Sequence, residues 1–121
     1  MTKTVLTVDD SRTMRDMLLM ALEDAGYTVI QAVDGVDGLE TLAAKGADVV
    51  ITDINMPRMD GFGFIEGIRA DPNHRTTPVL VLTTESDAEK KARARAAGAT
   101  GWIVKPFDPA KLVDAVRRVA A

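Results

Sequence analysis

The sequence contains no cysteine, a single histidine and few aromatic residues, and none of its apolar runs is long. Without cysteine there is no disulfide framework and no thiolate metal site. The lone histidine, His74, excludes zinc motifs that require two histidines. The first apolar run, residues 5–8, is much too short for a signal peptide or a membrane span, so we expect a cytoplasmic protein.

The composition is that of an ordinary globular domain. The chain has 121 residues, of which 46% are hydrophobic and 27% are charged. This length favours one domain over residues 1–121. We expect this domain to be a monomer. The net charge of -3 argues against DNA as the main partner, because DNA-binding domains concentrate basic residues on one face.

Short apolar, β-branched runs alternate with helical patterns along the chain. Five such repeats predict an α/β fold, a doubly wound parallel sheet with helices on both faces. In folds of this kind the functional crevice lies at the carboxyl ends of the strands. The predicted strands are residues 5–8, 28–32, 49–52, 79–82 and 102–104.

Several residues indicate where the helices begin and end. Asp34 is a candidate N-cap and Gly46 a candidate end of the second helix. Residues 86–89 read Ser-Asp-Ala-Glu, the pattern of a capping box, and predict the start of the fourth helix at Ser86. The charged run that follows predicts a solvated helix face. On the first helix, Met17 is placed on the apolar face with Leu18.

Polar residues that are able to do chemistry follow four of the five predicted strands. Three carboxylates, hydroxyls and an ammonium group are therefore expected at one edge of the sheet. Asp9 and Asp10 are adjacent, and both reach this edge if the chain leaves the strand there. The residues at the strand ends are Asp9-Asp10, Asp53, Thr83-Thr84 and Lys105-Pro106.

This set of groups suits phosphoryl transfer onto a carboxylate. Clustered carboxylates repel one another unless a cation binds, and oxygen ligands suit Mg²⁺. A carboxylate also acts as the nucleophile that forms an aspartyl phosphate, and a metal with a lysine neutralises the phosphoryl oxygens. Asp10, Asp53, Thr83 and Lys105 therefore form a candidate phosphoryl-accepting site.

The sequence resembles the receiver domains of two-component response regulators, in particular the stand-alone chemotaxis regulators of the CheY type. The resemblance runs from end to end. It implies a flavodoxin-like (βα)5 fold with strand order 2-1-3-4-5. The motifs that carry it are Val8-Asp9-Asp10, residues 52–61 (Thr-Asp-Ile-Asn-Met-Pro-Arg-Met-Asp-Gly), Thr83-Thr84 and Lys105-Pro106-Phe107.

The resemblance implies roles for the residues at the strand ends. Asp53 would accept a phosphoryl group from a histidine kinase of the CheA type. Asp10, Asp53 and the backbone carbonyl of Asn55 would hold Mg²⁺, with Asp9 acting through water. Lys105 would pair with the phosphoryl oxygens, and the Lys105-Pro106 bond would be cis. Thr83 would move inward to bond the phosphoryl group. The protein would thus be a phosphoacceptor in signalling, with self-phosphorylation from small donors and autodephosphorylation, rather than an enzyme of metabolism.

The resemblance also implies how the signal leaves the site. Asn55 and Glu85 resemble the residues that tune dephosphorylation, and Trp102 stands where the chemotaxis relatives usually carry tyrosine. The fourth helix, fifth strand and fifth helix would form the surface that switches. Partners that fit are the flagellar motor switch, another signalling target, or the kinase itself if the protein drains phosphate from it.

Other functions fit the sequence less well. A haloacid-dehalogenase-like phosphatase also uses a strand-end aspartate with Mg²⁺, but it needs an acid two residues later, where this chain has Asn55. A scaffold that has lost phosphorylation would not need the intact set of groups. A receiver cut from a transcription factor is a further alternative, although the chain ends after the fifth helix with no linker, which favours a one-domain protein.

Overall fold

The structure of the chain, a computed structural model, describes residues 2–120. Strands and helices alternate along this part of the chain, as the sequence predicts. Each predicted strand matches an observed one to within a residue at either end. The elements are β1 (Thr4–Val8), α1 (Arg12–Asp24), β2 (Thr28–Ala32), α2 (Gly35–Lys45), β3 (Val49–Thr52), α3 (Gly61–Ala70), β4 (Val79–Thr83), α4 (Ala88–Ala97), β5 (Gly101–Val104) and α5 (Pro109–Ala120).

The strands form one parallel sheet in the order β2-β1-β3-β4-β5. This order confirms the flavodoxin-like arrangement that the resemblance implies. Every residue of the central strand β3 is buried, which explains its continuous apolar sequence. Because all strands run in the same direction, their carboxyl ends lie along one edge of the sheet. The adjacent strands β1 and β3 are near the middle of this edge.

The sheet separates two hydrophobic cores. Helices α2, α3 and α4 cover one face, where Phe64, Ile65 and Ile68 of α3 are inaccessible to solvent, as predicted. Helices α1 and α5 cover the other face. They contribute Leu18 and Leu112 to its core, together with Leu22 and Val116 one turn later. The groups at the carboxyl edge are therefore carried by a sheet that is packed on both faces.

The observed helix caps confirm most of the predicted ones. The Asp34 side chain accepts from the Asp37 amide at the start of α2, and Gly46 ends that helix with φ of 72°. The capping box at Ser86 is wrong, because Asp87 is the N-cap of α4 and its carboxylate accepts from the Glu89 amide at 2.8 Å. A carboxylate competes well with a hydroxyl for this position, and here the helix begins one residue later.

The packing of α1 and α4 refines the predicted helix faces. Met17 is 48% exposed, contrary to its predicted place on the apolar face, because Leu18 lies about 100° further around α1 and takes the inward position. Helix α4 is solvated on most sides, as predicted, and Ala94 is its buried residue. The Arg93 guanidinium stacks over the Phe62 ring, 4.0 Å from its centroid, and so fastens α4 to α3.

Arg69 joins three segments on the α3–α4 side of the fold. Its Nε and Nη2 both donate to the Gly98 carbonyl, at 3.1 and 2.8 Å, at the end of α4. Its Nη1 donates to the carbonyls of His74 and Thr77, at 3.0 and 2.7 Å, in the loop before β4. Burial lowers the pKa of Arg69. The three carbonyl oxygens accept hydrogen bonds from its guanidinium group in place of water.

We expect Arg69→Lys to lower the free energy of unfolding by about 2 kcal/mol, since an ammonium group lacks the planar fork that reaches all three carbonyls. Urea unfolding in the absence of metal measures the effect. Arg117→Lys is the matched control, because Arg117 is exposed and its ion pair with Asp114 is long, at 3.8 Å. Equal midpoints for the two variants would show that the Arg69 contacts contribute no stability.

Candidate functional site

Three carboxylates meet at the carboxyl edge of the sheet. The chain leaves β1 after Val8, as expected, so Asp9 and Asp10 both lie at this edge, and Asp53 follows β3. Asp9 is buried and Asp10 is exposed. One carboxylate oxygen from each of the three side chains lies within 4.8 Å of the others.

Lys105 lies between two of these carboxylates. Its Nζ is 2.8 Å from Asp53 Oδ2 and 2.9 Å from Asp9 Oδ2. The residue follows β5 directly, and its amide donates to the Thr83 carbonyl at 2.7 Å. The peptide bond from Lys105 to Pro106 is cis, as the resemblance implies. The Lys105 side chain therefore reaches along the sheet edge from the end of β5 to the residues that follow β3 and β1.

The charges at this edge are unbalanced. Burial raises the pKa of Asp9, although hydrogen bonds from Lys105 and from the Ser11 amide oppose the rise. For Lys105 burial alone would lower the pKa, but the hydrogen bonds to Asp53 and Asp9 outweigh it and the pKa is raised. One ammonium thus faces three carboxylates, and a further cation would relieve the remaining repulsion.

Close packing holds Asp53 in place. Its Oδ1 accepts from the Ile54 amide at 2.6 Å, while its Oδ2 faces Lys105, and 12% of the side chain is exposed. Gly61 begins α3 against this segment and donates to the Ile54 carbonyl at 2.8 Å. A Cβ at Gly61 would collide with the Asp53 carbonyl, so glycine is needed for this approach. Contacts to both carboxylate oxygens therefore fix the orientation of Asp53 beside Lys105.

A second group of predicted residues lies beside the carboxylates, around Glu85. The Glu85 carboxylate accepts from Asn55 Nδ2 at 3.2 Å and from Lys90 Nζ at 3.1 Å. These hydrogen bonds, first the one from Lys90, lower the pKa of Glu85. The Glu85 carbonyl accepts from Trp102 Nε1 at 3.1 Å. The indole on β5 is thereby connected to the loop that follows β4.

Thr83 stands between the two groups. It is the last residue of β4 and is buried, and its Oγ1 accepts from the Glu85 amide at 3.4 Å. A movement of the Thr83 hydroxyl toward Asp53 would therefore break a contact to the backbone segment that holds Trp102. The eight predicted site residues fall into one connected region: Asp9, Asp10, Asp53 and Lys105 in the first group, and Thr83, Asn55, Glu85 and Trp102 beside it.

Two residues of this region escaped prediction. Arg15, in the first turn of α1, donates from Nη1 to the Asp9 carbonyl at 2.7 Å and supports the turn between β1 and α1. Lys90 pairs with Glu85 from the first turn of α4. Both occur in charged helical runs, where the sequence pattern does not distinguish a solvated cation from one that reaches the site.

The donor set suits a hard divalent cation. Carboxylate oxygens of Asp9, Asp10 and Asp53 are close enough to share one ion, and no sulfur or imidazole is among them. Oxygen ligands that leave room for water and for phosphate oxygens are those that Mg²⁺ prefers.

Within residues 2–120, no helix is both long and apolar enough to cross a membrane.

Fold and site together define a flavodoxin-like α/β protein with an acidic pocket and a lysine at the carboxyl edge of its sheet. Residues 5–117 match the response regulator receiver domain. The chain belongs to the response regulator receiver family and is CheY-like. Receiver domains are signalling proteins rather than metabolic enzymes.

Chemotaxis proteins are among its relatives. The chain is 40% identical to chemotaxis protein CheY-3 of Vibrio cholerae over 95% of its length and 89% of that protein. It is 37% identical to a probable chemotaxis protein CheY of Rhizobium etli, over 95% of this chain and 90% of the relative.

Solved structures extend the comparison. The structure of chemotaxis response regulator CheY4 of Vibrio cholerae superposes with a TM-score of 0.93 at 45% identity, covering 98% of this chain and 99% of that one. The receiver domain of a sensor histidine kinase from Pseudomonas aeruginosa superposes with a TM-score of 0.92 at 25% identity, covering 99% and 98%. That receiver holds a magnesium ion coordinated in its active-site cleft.

Proposed function

We propose that this protein is a stand-alone response regulator of chemotaxis, which accepts a phosphoryl group on Asp53 in the presence of Mg²⁺. The observation that carries the proposal is the position of Lys105 Nζ, 2.8 Å from Asp53 Oδ2 and beside two further carboxylates. In this arrangement a nucleophilic oxygen, a cation partner for the incoming phosphoryl group and a set of metal ligands occupy one pocket.

The proposed Mg²⁺ ligands are Asp10, Asp53 and the Asn55 carbonyl, with Asp9 acting through water. Their oxygen chemistry fits the ion, and the related receiver from Pseudomonas aeruginosa is described with magnesium in its cleft. When bound, the ion would neutralise carboxylate charge and the oxygens of the transferring phosphoryl group. It would also relieve the repulsion among the three carboxylates.

In the proposed reaction Asp53 Oδ2, which faces Lys105, attacks the phosphorus atom of a phosphohistidine. An O–P bond forms as the N–P bond breaks, and the leaving imidazole retains the electron pair and takes up a proton from solvent. Lys105 Nζ exchanges its hydrogen bond with Asp53 for one with a phosphoryl oxygen, so the charge that develops meets a fixed ammonium. The Thr83 hydroxyl moves inward to another phosphoryl oxygen.

The output follows from the second group of residues. Inward movement of Thr83 breaks its contact with the Glu85 amide, and the hydrogen bond from Trp102 to the Glu85 carbonyl transmits the change to β5. The receiving surface consists of α4, β5 and α5, where Val104 is 43% exposed beside a groove that Trp102 and Lys111 also line. A local event at Asp53 thus shifts the population of a binding surface.

The proposed partners are a CheA-like histidine kinase as donor and the flagellar motor switch as target. The chemotaxis relatives support this choice, and the chain covers 89% to 99% of the length of the Vibrio cholerae proteins, which therefore consist of little beyond this domain. A cytoplasmic location follows from the partnership with a kinase, because the phosphoryl group comes from intracellular ATP.

The proposal predicts that acetyl phosphate adds one phosphoryl group in the presence of Mg²⁺, and that excess chelator stops the addition. Intact mass measures the uptake, and fluorescence of Trp102, the only tryptophan of the chain, reports the switch. Beryllofluoride, a stable mimic of the phosphoryl group, should give the same fluorescence change. Uptake in excess chelator would remove the metal from the mechanism, and failure of both reagents would favour the scaffold interpretation.

A further inference from the structure

An ion pair between Arg58 and Asp34 connects the proposed metal site to helix α2. Arg58 lies in the β3–α3 loop (residues 53–60), three positions after Asn55. Its Nε donates to Asp34 Oδ2 at 2.7 Å and its Nη2 donates to Asp34 Oδ1 at 3.0 Å. Such bidentate pairs fix the relative orientation of the two groups as well as their separation.

The carboxylate of this pair is held firmly by its own surroundings. Asp34 is 2% exposed, and its Oδ1 also accepts from the Asp37 amide as the N-cap of α2. The hydrogen bond from Arg58, followed by those from the α2 amides, keeps the pKa of Asp34 below its ordinary value. Asp34 is therefore held in a fixed position. The Arg58 side chain is 57% exposed, and its orientation depends on the pair with Asp34.

Arg58 takes up this position at a conformational cost. Its φ is 64°, in the left-handed region that residues with a Cβ rarely adopt. Glycine or asparagine would fit this position with less strain. The neighbouring backbone is connected to the start of α2, because the Gly35 amide donates to the Met59 carbonyl at 3.3 Å. An arginine kept in a strained conformation indicates that its side-chain contact compensates for the strain.

The β3–α3 loop is thus held from both sides. Asn55 donates to Glu85 on the side of α4, and Arg58 pairs with Asp34 on the side of α2. The proposed metal ligands, the Asp53 carboxylate and the Asn55 carbonyl, belong to the same loop. A change in the loop conformation would displace the Asn55 carbonyl, while Asp9, which directly follows β1, stayed in place.

We propose that Arg58 is a positioning residue, whose pair with Asp34 holds the β3–α3 loop in the conformation that presents the Asn55 carbonyl to a divalent cation. The inference rests on the proposed function, since it concerns the same metal site. It assigns to Arg58 an effect on cation affinity that is separable from its effect on folding.

Arg58→Gly tests the inference, because glycine removes the pair and also relieves the strain at φ of 64°. Mg²⁺ is titrated into the purified protein and the dissociation constant is read from Trp102 fluorescence or calorimetry. We expect the constant to rise about tenfold, as for other residues that orient metal ligands. Amide hydrogen exchange of residues 55–56 and 58–60 should become faster without metal, while the thermal unfolding midpoint stays near that of the wild type.

Two further variants sharpen the test. Asp34→Asn keeps a cap oxygen for α2 but weakens the pair, and it should add little to Arg58→Gly in the double variant if the two residues act as a unit. Arg117→Ala, which breaks an exposed ion pair on α5, should leave Mg²⁺ affinity unchanged. Unchanged affinity and loop exchange in Arg58→Gly would overturn the inference alone, whereas a wild-type protein that binds no Mg²⁺ would overturn the proposed function and the inference with it.

Discussion

Replacement of Asp53 by asparagine is expected to abolish phosphoryl uptake from acetyl phosphate. The amide nitrogen of asparagine is not a nucleophile comparable to a carboxylate oxygen, and it would meet the ammonium of Lys105 donor against donor. Asparagine keeps the shape of aspartate and its remaining oxygen still accepts from the Ile54 amide, so the fold should persist. Intact mass after incubation with Mg²⁺ and acetyl phosphate measures the loss.

The control for this substitution is Asp114→Asn, which removes an exposed carboxylate from α5 and should leave uptake unchanged. Asp53→Asn also removes one of three mutually repelling carboxylates, so its unfolding midpoint without metal should not fall below that of the wild type. Stoichiometric labelling that survives in Asp53→Asn would place the phosphoryl group on another residue. Loss of labelling together with unfolding would instead leave Asp53 unassigned, and circular dichroism distinguishes the two cases.

The first group of site residues could be predicted because it depends on topology. Parallel strands bring their carboxyl ends to one edge, so the residues directly after β1, β3 and β5 lie along that edge, and the strand order that the resemblance implies brings them close together. Asp53 and Lys105 are 52 positions apart in sequence, but each follows a short apolar run that is recognisable as a strand. Periodicity and strand ends therefore predicted that these residues share one edge of the sheet, and the resemblance supplied the strand order and the roles.

The contacts made from helices and loops could not be predicted in the same way. Lys90, Arg15 and Arg58 occur among other charged or exposed residues, and what distinguishes them is the direction of a long side chain. That direction depends on backbone geometry such as the positive φ of Arg58, which the sequence pattern does not reveal. The prediction for the cap of α4 was wrong for a different reason, since Ser86 and Asp87 are both good caps and the sequence pattern does not distinguish them.

In Lys105→Met, added Mg²⁺ is expected to stabilise the fold more than in the wild type. Phosphoryl uptake in the presence of Mg²⁺ is nevertheless expected to be slower. Without metal, methionine leaves Asp9 and Asp53 lacking their shared ammonium, and we expect the free energy of unfolding to fall by about 3 kcal/mol. The more negative pocket should bind Mg²⁺ at least as tightly as in the wild type, so added Mg²⁺ should stabilise the variant more. Phosphoryl uptake should nevertheless slow by about 100-fold, since a donor to the developing charge is missing.

Urea unfolding with and without Mg²⁺, together with uptake rates, measures these effects. Lys111→Met on the exposed surface of α5 is the matched control. Loss of Mg²⁺ binding in Lys105→Met would contradict the role given to Lys105, because an ammonium that neutralises the pocket competes with the metal.

The pH dependence of the same variant follows from Asp9. Burial already raises the pKa of Asp9 above its ordinary value of 3.8, and removal of the hydrogen bond from Lys105 should raise it further. A carboxyl group with a raised pKa binds its proton more tightly in the folded state, so its contribution to stability is lost as the pH rises through the folded pKa. Without metal, the deficit of Lys105→Met relative to the wild type should therefore be constant near neutral pH and shrink as the pH falls through the raised pKa of Asp9 toward its ordinary value of 3.8. A deficit that is constant over this range would show that Lys105 stabilises the fold by packing rather than by compensating the buried charge of Asp9.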